Sequence, residues 1–389
     1  MRLLFVLTDL PFPPHRNGVA LINNAILMRL PQEYSADLAI ASDPEPEAEA
    51  TLRSEAQRIG QIHYLGSAGQ RRFRVGNLIS GALLGRNLFT KPQVARLVRQ
   101  QRYDAIYVAP LMSFIDFRQV QPVFLNAVDS FARLNDTAHR RSGRFIDWTK
   151  RKLYERYESR VLPTVARASF VSQTDLEFVC SRRDGLALQC IPNGVDTEWF
   201  RDDGGIREPA ALLFTGNFTY QPNADAAMYL AREVLPLVRA QRPDARLLIV
   251  GRAPPEGLAR FPGVEVTGFV EDIRAYYQQA TVFVCALRSG AGIKNKILEA
   301  MATGIPIVSS SLGMDGIEGA QQDRHFLEAE GAEATATQVL RLLSSDSERE
   351  ALAKRARELV AGRMSWEVAA AAYIRALTVI ASTGMRTAE

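Results

Sequence analysis

The 389-residue sequence predicts an α/β protein of two doubly wound, Rossmann-like domains facing a central cleft. Three observations carry this expectation. The length suits two domains of ordinary size. Short, continuously apolar runs alternate with segments of helical periodicity, the pattern of parallel strands covered on both faces. The two halves also open alike. In the first, an apolar run at 3–7 ends in Thr8-Asp9, a Pro-rich loop follows, and Gly18 opens a helical segment over 19–30. In the second, an apolar run at 211–214 ends in Thr215-Gly216-Asn217. A loop through Pro222-Asn223 then leads to a helix with Ala227, Leu230, Ala231 and Val234 on one face.

Further strands are expected at 105–108, 123–127 and 168–172, and at 246–250, 264–266, 281–285 and 305–309. A long Ala/Arg/Glu-rich helix is expected over 348–360 and a last helix from Trp366 to about residue 382. The Gly/Asp-rich stretch 202–209 follows Ile191-Pro-Asn-Gly-Val-Asp196 and marks the linker region. Domains are placed at 1–195 and 196–365, with a terminal segment at 366–389.

Composition excludes several classes. With 47% hydrophobic and 23% charged residues the chain is neither disordered, collagen-like nor a disulfide framework. Cys180, Cys190 and Cys285 form no CxxC pair, so a reducing cytoplasm is expected. No apolar run reaches bilayer-spanning length, and residues 1–7 are too short for a signal-peptide core. The formal charge of +4 is uneven: residues 1–190 hold 26 Lys and Arg against 18 Asp and Glu. Residues 56–103 contain nine basic and no acidic residues, interleaved with apolar ones, and 139–160 hold eight basic and three acidic. Such a surface is either a solvated helical face or a contact with an anionic membrane, through Arg71, Arg72, Arg74, Arg140, Arg141, Lys150, Arg151 and Lys152. Nucleic acid is not expected as a partner.

The most informative segment is Gly290-Ala-Gly-Ile-Lys-Asn-Lys-Ile-Leu-Glu-Ala-Met-Ala-Thr-Gly304. A strand ending in a Gly-rich loop that opens a helix aims unpaired N–H groups at an anion. Gly292, Ile293, Lys294, Asn295 and Lys296 form that loop, and Glu299, one turn into the helix, is placed for a ribose diol. The alternative is an ordinary strand–loop–helix turn with its lysines in solvent.

Leu298-Glu-Ala-Met-Ala-Thr-Gly-Ile-Pro-Ile-Val308 resembles the donor-binding signature of family 4 glycosyltransferases, which have the GT-B fold. In the same order, Ile191 to Phe200, Leu213-Phe-Thr-Gly-Asn217, Leu248-Ile-Val-Gly251, Val266 to Asp272 and Met364-Ser-Trp-Glu367 resemble further family segments. The resemblance implies transfer of a sugar from a nucleotide-diphosphate donor to a glycan, lipid-linked or small-molecule acceptor, with retention. No DxD stands at a strand end and cationic side chains can take a metal's role, so no metal or other cofactor is expected. The resemblance also implies a terminal helix returning to the first domain. Closest is a subgroup associated with exopolysaccharide assembly.

The departures are specific. Many members carry two Glu eight positions apart; here Ala291 occupies the first position and Glu299 the second. Many place an Arg and a Lys after the first strand of the second domain; here Asn217 follows Gly216, and Lys294 and Lys296 are expected to supply charge from the other loop. In the first half, Asn17-Gly18 stands where the family has Gly-Gly. Gly18 is either a close approach to the donor phosphates or simply a helix start. Asp129 follows Val128, where relatives have His, and either engages the acceptor or caps the next helix. Two other readings remain open: a non-catalytic partner subunit with a decayed site, and a different sugar-nucleotide enzyme such as an epimerase.

Overall fold

The computed structural model describes all residues except 14–16, 68–69, 89–91, 111–120, 206, 291 and 387–389. Two compact units emerge, Met1–Pro192 with Ala369–Glu389, and Asn193–Val368. The stretch 202–209 therefore lies inside the second unit.

The first unit is built on a seven-stranded sheet. Its strands are β1 (Arg2–Leu7), β2 (Ser35–Ile40), β3 (Ile59–Tyr64), β4 (Ala105–Ala109), β5 (Val123–Val128), β6 (Arg167–Phe170) and β7 (Leu188–Cys190). They lie in the order β3-β2-β1-β4-β5-β6-β7, and every pairing is parallel. The second sheet has β8 (Ala211–Thr215), β9 (Arg246–Val250), β10 (Val264–Gly268), β11 (Val282–Cys285), β12 (Ile307–Ser309) and β13 (Leu327–Glu328) in the order β10-β9-β8-β11-β12-β13, again all parallel. Both orders step outward from the first strand in one direction and then in the other. This places a topological switch between β1 and β4, and between β8 and β11, where doubly wound sheets open a crevice beyond their strand ends.

Burial explains the apolar runs. β4, β8 and β11 are buried along their whole length, because helices cover both faces of the sheet. In the second unit Phe214, Phe283, Leu248 and Val284 pack with Leu298, Met301, Val339 and Val360 from helices. Each such side chain contributes about 1.5–3 kcal/mol relative to exposure. β2 escapes the apolar pattern because Asp37 sits inside it. Its buried carboxylate accepts from the Arg2 guanidinium (2.7 Å), the Tyr103 hydroxyl (3.0 Å) and the Gln61 amide (2.8 Å).

In the first unit the terminal helix segment carries Tyr373, whose ring meets Tyr107 and Phe124 edge-on at 6.2 and 5.9 Å. The Tyr34 and Thr378 hydroxyls share a hydrogen bond of 2.7 Å. No helix among the described residues is long and apolar enough to cross a membrane.

Candidate functional site

At the β8/β11 switch, two glycines fix the backbone. The Gly216 amide donates to Val250 O at 3.0 Å. Gly251 has φ +141°, and a Cβ there would stand 1.9 Å from Gly216 O, so only glycine fits. Asn223, near the start of the helix Gln221–Tyr229, ties the neighbouring loop down. Its amide nitrogen donates to Asn217 O (2.8 Å), and its Oδ1 accepts from Lys296 Nζ (2.6 Å). The Lys296 ammonium lies 4.4 Å from the Phe214 ring centre and close to Gly216, where an added Cβ would come within 3.1 Å of it. Lys296 thus brings its charge across from the other loop to the end of β8. Burial pushes its amine down to about 8, since the enclosing loop strips water from the cation.

Lys296 belongs to the helix Asn295–Ala302. Preceding it, Gly290 (φ +115°) and Gly292 (φ +74°) take left-handed turns open to glycine. Lys294 is the N-cap residue, and its side chain makes no capping hydrogen bond to the first helical amides. Lys294 is buried and its ammonium donates to Gly292 O, so it braces its own loop rather than facing solvent. Ile293 is half-buried against Gly316, and Asn295 Oδ1 accepts from Asn193 Nδ2 at 3.0 Å. Asn217 is exposed; its Oδ1 accepts from the Thr219 amide and hydroxyl at 3.1 and 2.8 Å. Ala291 lies outside the described residues.

Glu299 points back under this loop. The Tyr277 hydroxyl donates to Glu299 Oε2 at 2.8 Å and pairs with Thr215 Oγ1 at 2.9 Å. Burial raises the Glu299 carboxyl above its ordinary range, with the Tyr277 hydrogen bond and the Lys296 charge acting in the opposite direction. The Tyr277 ring is fully buried and stacks on Phe283 at 5.7 Å. Nothing in the sequence separates Tyr277 from an ordinary core aromatic, since its hydroxyl partners Thr215 and Glu299 lie in separate segments on either side of it. Gly216, Lys296 and Glu299 come together through Asn223 and Tyr277; Lys294 is joined to Gly292 within the preceding loop, and Asn217 is engaged locally with Thr219.

The first unit places Asp129 directly after β5. It does not cap the following helix: Ser130 does, with its hydroxyl accepting from the Arg133 amide. Behind it, Ser130 Oγ donates to Glu158 (2.9 Å), and the Ser130 amide and the Arg133 guanidinium donate to Asp175 (3.1 and 2.8 Å). Burial pushes the Glu158 carboxyl up to about 7. Gly18 begins the helix Gly18–Met28, whose N-cap is Asn17, and a Cβ on it would meet nothing within 4 Å. Within its own unit, helix initiation accounts for this residue.

The basic passages separate into engaged and exposed groups. Arg151 is taken up by Asp136 (2.7 Å) and Glu155 (2.9 Å), Arg140 by Asp136 (2.8 Å) and Lys152 by Glu155 (3.1 Å). Arg74 and Lys150 are exposed. The side chains of Arg71, Arg72 and Arg141 lie outside the described residues. On the helix Gln70–Leu84, Val75 (51% exposed), Ile79 (46%) and Leu83 (56%) repeat every four residues and form an apolar stripe facing water. Phe145 and Trp148 add an exposed stacked pair at the start of the helix Phe145–Val161.

Residues 209–345 match the family model of the group 1 glycosyl transferases. Over 247 residues the chain is 30% identical to a phosphatidyl-myo-inositol mannosyltransferase of Mycolicibacterium smegmatis, covering 59% of this chain and 60% of that relative. It is 28% identical over 116 residues to an uncharacterized 44.6 kDa protein in the cps region of Klebsiella pneumoniae, 27% of this chain and 30% of that one. Among solved structures, HepE of Anabaena in complex with UDP and glucose superposes with a TM-score of 0.66 at 14% identity, over 97% of this chain and 99% of that one. Sucrose-phosphate synthase of Thermosynechococcus elongatus superposes with a TM-score of 0.68 at 16% identity, over 98% and 100%. The chain therefore has the two-unit, Rossmann-like GT-B fold, and residues 209–345, within its second unit, are similar to the group 1 glycosyl transferases.

Proposed function

We propose that the chain is a glycosyltransferase that moves a sugar from a nucleoside-diphosphate donor to a hydroxyl of a glycan or lipid-linked acceptor. The observation that carries this reading is the position of the Lys296 ammonium. It sits beside Gly216 at the sheet's switch point, and Lys296 lies in the first turn of a helix whose N-cap side chain makes no capping bond. These groups bind the diphosphate, and Glu299, oriented by Tyr277, accepts from the ribose hydroxyls. In the transfer step the bond from the sugar's anomeric carbon to the diphosphate oxygen breaks as the bond to the acceptor oxygen forms. The acceptor proton ends on the departing diphosphate. Lys296 and the helix amides stabilise the charge gathering on that leaving group, in the place a metal ion would take. Transfer is retaining, and Asp129 holds the acceptor hydroxyl.

The relative from Mycolicibacterium smegmatis is named for a lipid acceptor, and HepE was solved with UDP and glucose. Together with the apolar stripe 75–79–83 and the exposed Arg74 and Lys150, this supports a peripheral contact with an anionic membrane at the cytoplasmic face.

The test is nucleoside-diphosphate release from UDP-glucose and from GDP-mannose, with phosphatidylinositol dispersed in phosphatidylglycerol vesicles as acceptor. Vesicle-dependent release that is lost in Lys296→Met supports transfer. Tight UDP or GDP binding without release from either donor overturns it in favour of a non-catalytic partner subunit. Flotation with the same vesicles tests the surface: Ile79→Asp with Leu83→Asp abolishes it, and wild-type protein that stays unbound at low salt removes the membrane contact.

A further inference from the structure

The turn that carries Asp129 is held in a conformation its sequence disfavours. Val128 has φ +66°, a left-handed backbone that a β-branched residue rarely adopts. The pairing of β5 with β6 shifts register between Asn126 and Val128, so an extra residue bulges out as the strand ends. Bulges of this kind re-aim a side chain and occur next to functional sites. Strain at such a residue persists only where its surroundings over-determine it.

Here they do. The Val128 amide donates to Asn126 Oδ1 (3.1 Å), and Val128 O accepts from the Val171 amide (2.8 Å). The Asp129 amide donates to Ala127 O (3.0 Å), and the Ser130 amide to Asp175 Oδ1 (3.1 Å). Three successive amides are thus fixed, two of them by side chains. Those side chains are themselves held. Asn126, fully buried, donates to the Tyr107 hydroxyl (2.9 Å), which in turn donates to Asn23 (2.9 Å). Asp175, also buried, accepts from the Arg133 guanidinium at 2.8 and 3.2 Å.

We propose that Asn126 and Asp175 are positioning residues that hold Val128 in the left-handed conformation and so fix the direction of the Asp129 carboxylate towards the acceptor hydroxyl. This rests on the reading that Asp129 engages the acceptor. The energy stored at Val128 is what a flexible turn would lack: the carboxylate meets its hydroxyl already oriented.

Glycine rescue tests this in the full-length protein, using diphosphate release from whichever of UDP-glucose and GDP-mannose is active with phosphatidylinositol vesicles. Asn126→Ala lowers kcat/KM for the acceptor at least tenfold and leaves UDP or GDP affinity unchanged. Adding Val128→Gly to it recovers most of that loss, because glycine adopts the left-handed turn without a clamp. A merely structural asparagine would lower thermal stability, and Val128→Gly would not restore acceptor use. Val128→Pro, whose ring forbids positive φ, abolishes transfer while nucleotide binding persists, and it decides the matter should Asn126→Ala fail to fold. Wild-type acceptor kinetics in Asn126→Ala, absence of rescue in the double variant, or full transfer by Val128→Pro overturns the proposal. Asp129→Asn reports separately on the acceptor reading. Full activity in that variant, or no release by the wild type, removes that reading and the positioning role with it.

Discussion

Lys296 makes the proposed nucleotide site a titratable one. Its amine is pushed down to about 8 in the free protein, and a bound diphosphate restores water-like stabilisation of the charge and raises it again. Between pH 7 and 9 the free protein passes from about nine-tenths to about one-tenth protonated. Binding at pH 9 must therefore recharge the amine, at a cost of about 1.4 kcal/mol or a tenfold loss of affinity. The ligand's last phosphate ionisation lies near 6, below this window, and its uracil or guanine base titrates at the upper end of it, so the pH response assigned to the amine is the difference between wild type and Lys296→Met. Lys296→Met keeps the stem against Phe214 and removes the charge. Losing a charged hydrogen-bond donor weakens binding at pH 7 by about 1.5–3 kcal/mol, roughly 10- to 150-fold, and flattens the pH response. Titration calorimetry with whichever of UDP and GDP binds more tightly, at pH 7, 8 and 9, measures both effects. Wild-type affinity that stays level from pH 7 to 9, or a methionine variant that binds as tightly as wild type, would refute the role given to Lys296.

Three other predictions test separate parts of the structure. Tyr277→Phe removes a hydrogen bond that opposes the upward push of burial on Glu299, so the loss of nucleotide affinity on acidification moves to higher pH; binding curves that overlay wild type at every pH count against it. Gly251→Ala forces a Cβ onto Gly216 O and lowers stability by about 1–3 kcal/mol or more in urea denaturation, with nucleotide binding lost alongside; wild-type stability would contradict the packing. Glu158, buried and raised to about 7 from an ordinary 4.5, binds its proton more tightly in the folded state, so its contribution to stability is lost as pH rises from about 4.5 to 7. Of a total of about 3 kcal/mol, about 2–2.5 kcal/mol is lost between pH 5 and pH 7.5, read as the change in the stability difference between wild type and Glu158→Gln in denaturation at those pH values, and a pH-independent difference would exclude it.

Parts of this architecture were legible because local chemistry specifies them. The apolar run before Thr215-Gly216 and the Gly-rich loop before Lys294 each announce a buried strand leading to a tight turn, and both are found there. β2 was not, because Asp37 breaks its apolar pattern and is made tolerable only by Arg2, Tyr103 and Gln61 from distant segments. β7 and β13 are three and two residues long, too short for any periodicity to register. Asp129 was identifiable as a residue closing a strand, but the competing role of helix cap falls to Ser130, one position later. The two lysines of the loop looked alike and are not: one braces Gly292 O, the other reaches Asn223.

The sequence by itself determined two doubly wound units and the Gly-rich loop at the second sheet's switch, since strand burial, glycine placement and helix starts depend on neighbours along the chain. Tertiary structure alone decided which charge arrives at Gly216, which hydroxyl orients Glu299, and that Val128 is held left-handed before Asp129. Each depends on side chains from separate strands meeting in a water-poor space, where a difference of an ångström decides whether a cation, a carboxylate or a strained backbone is sustained.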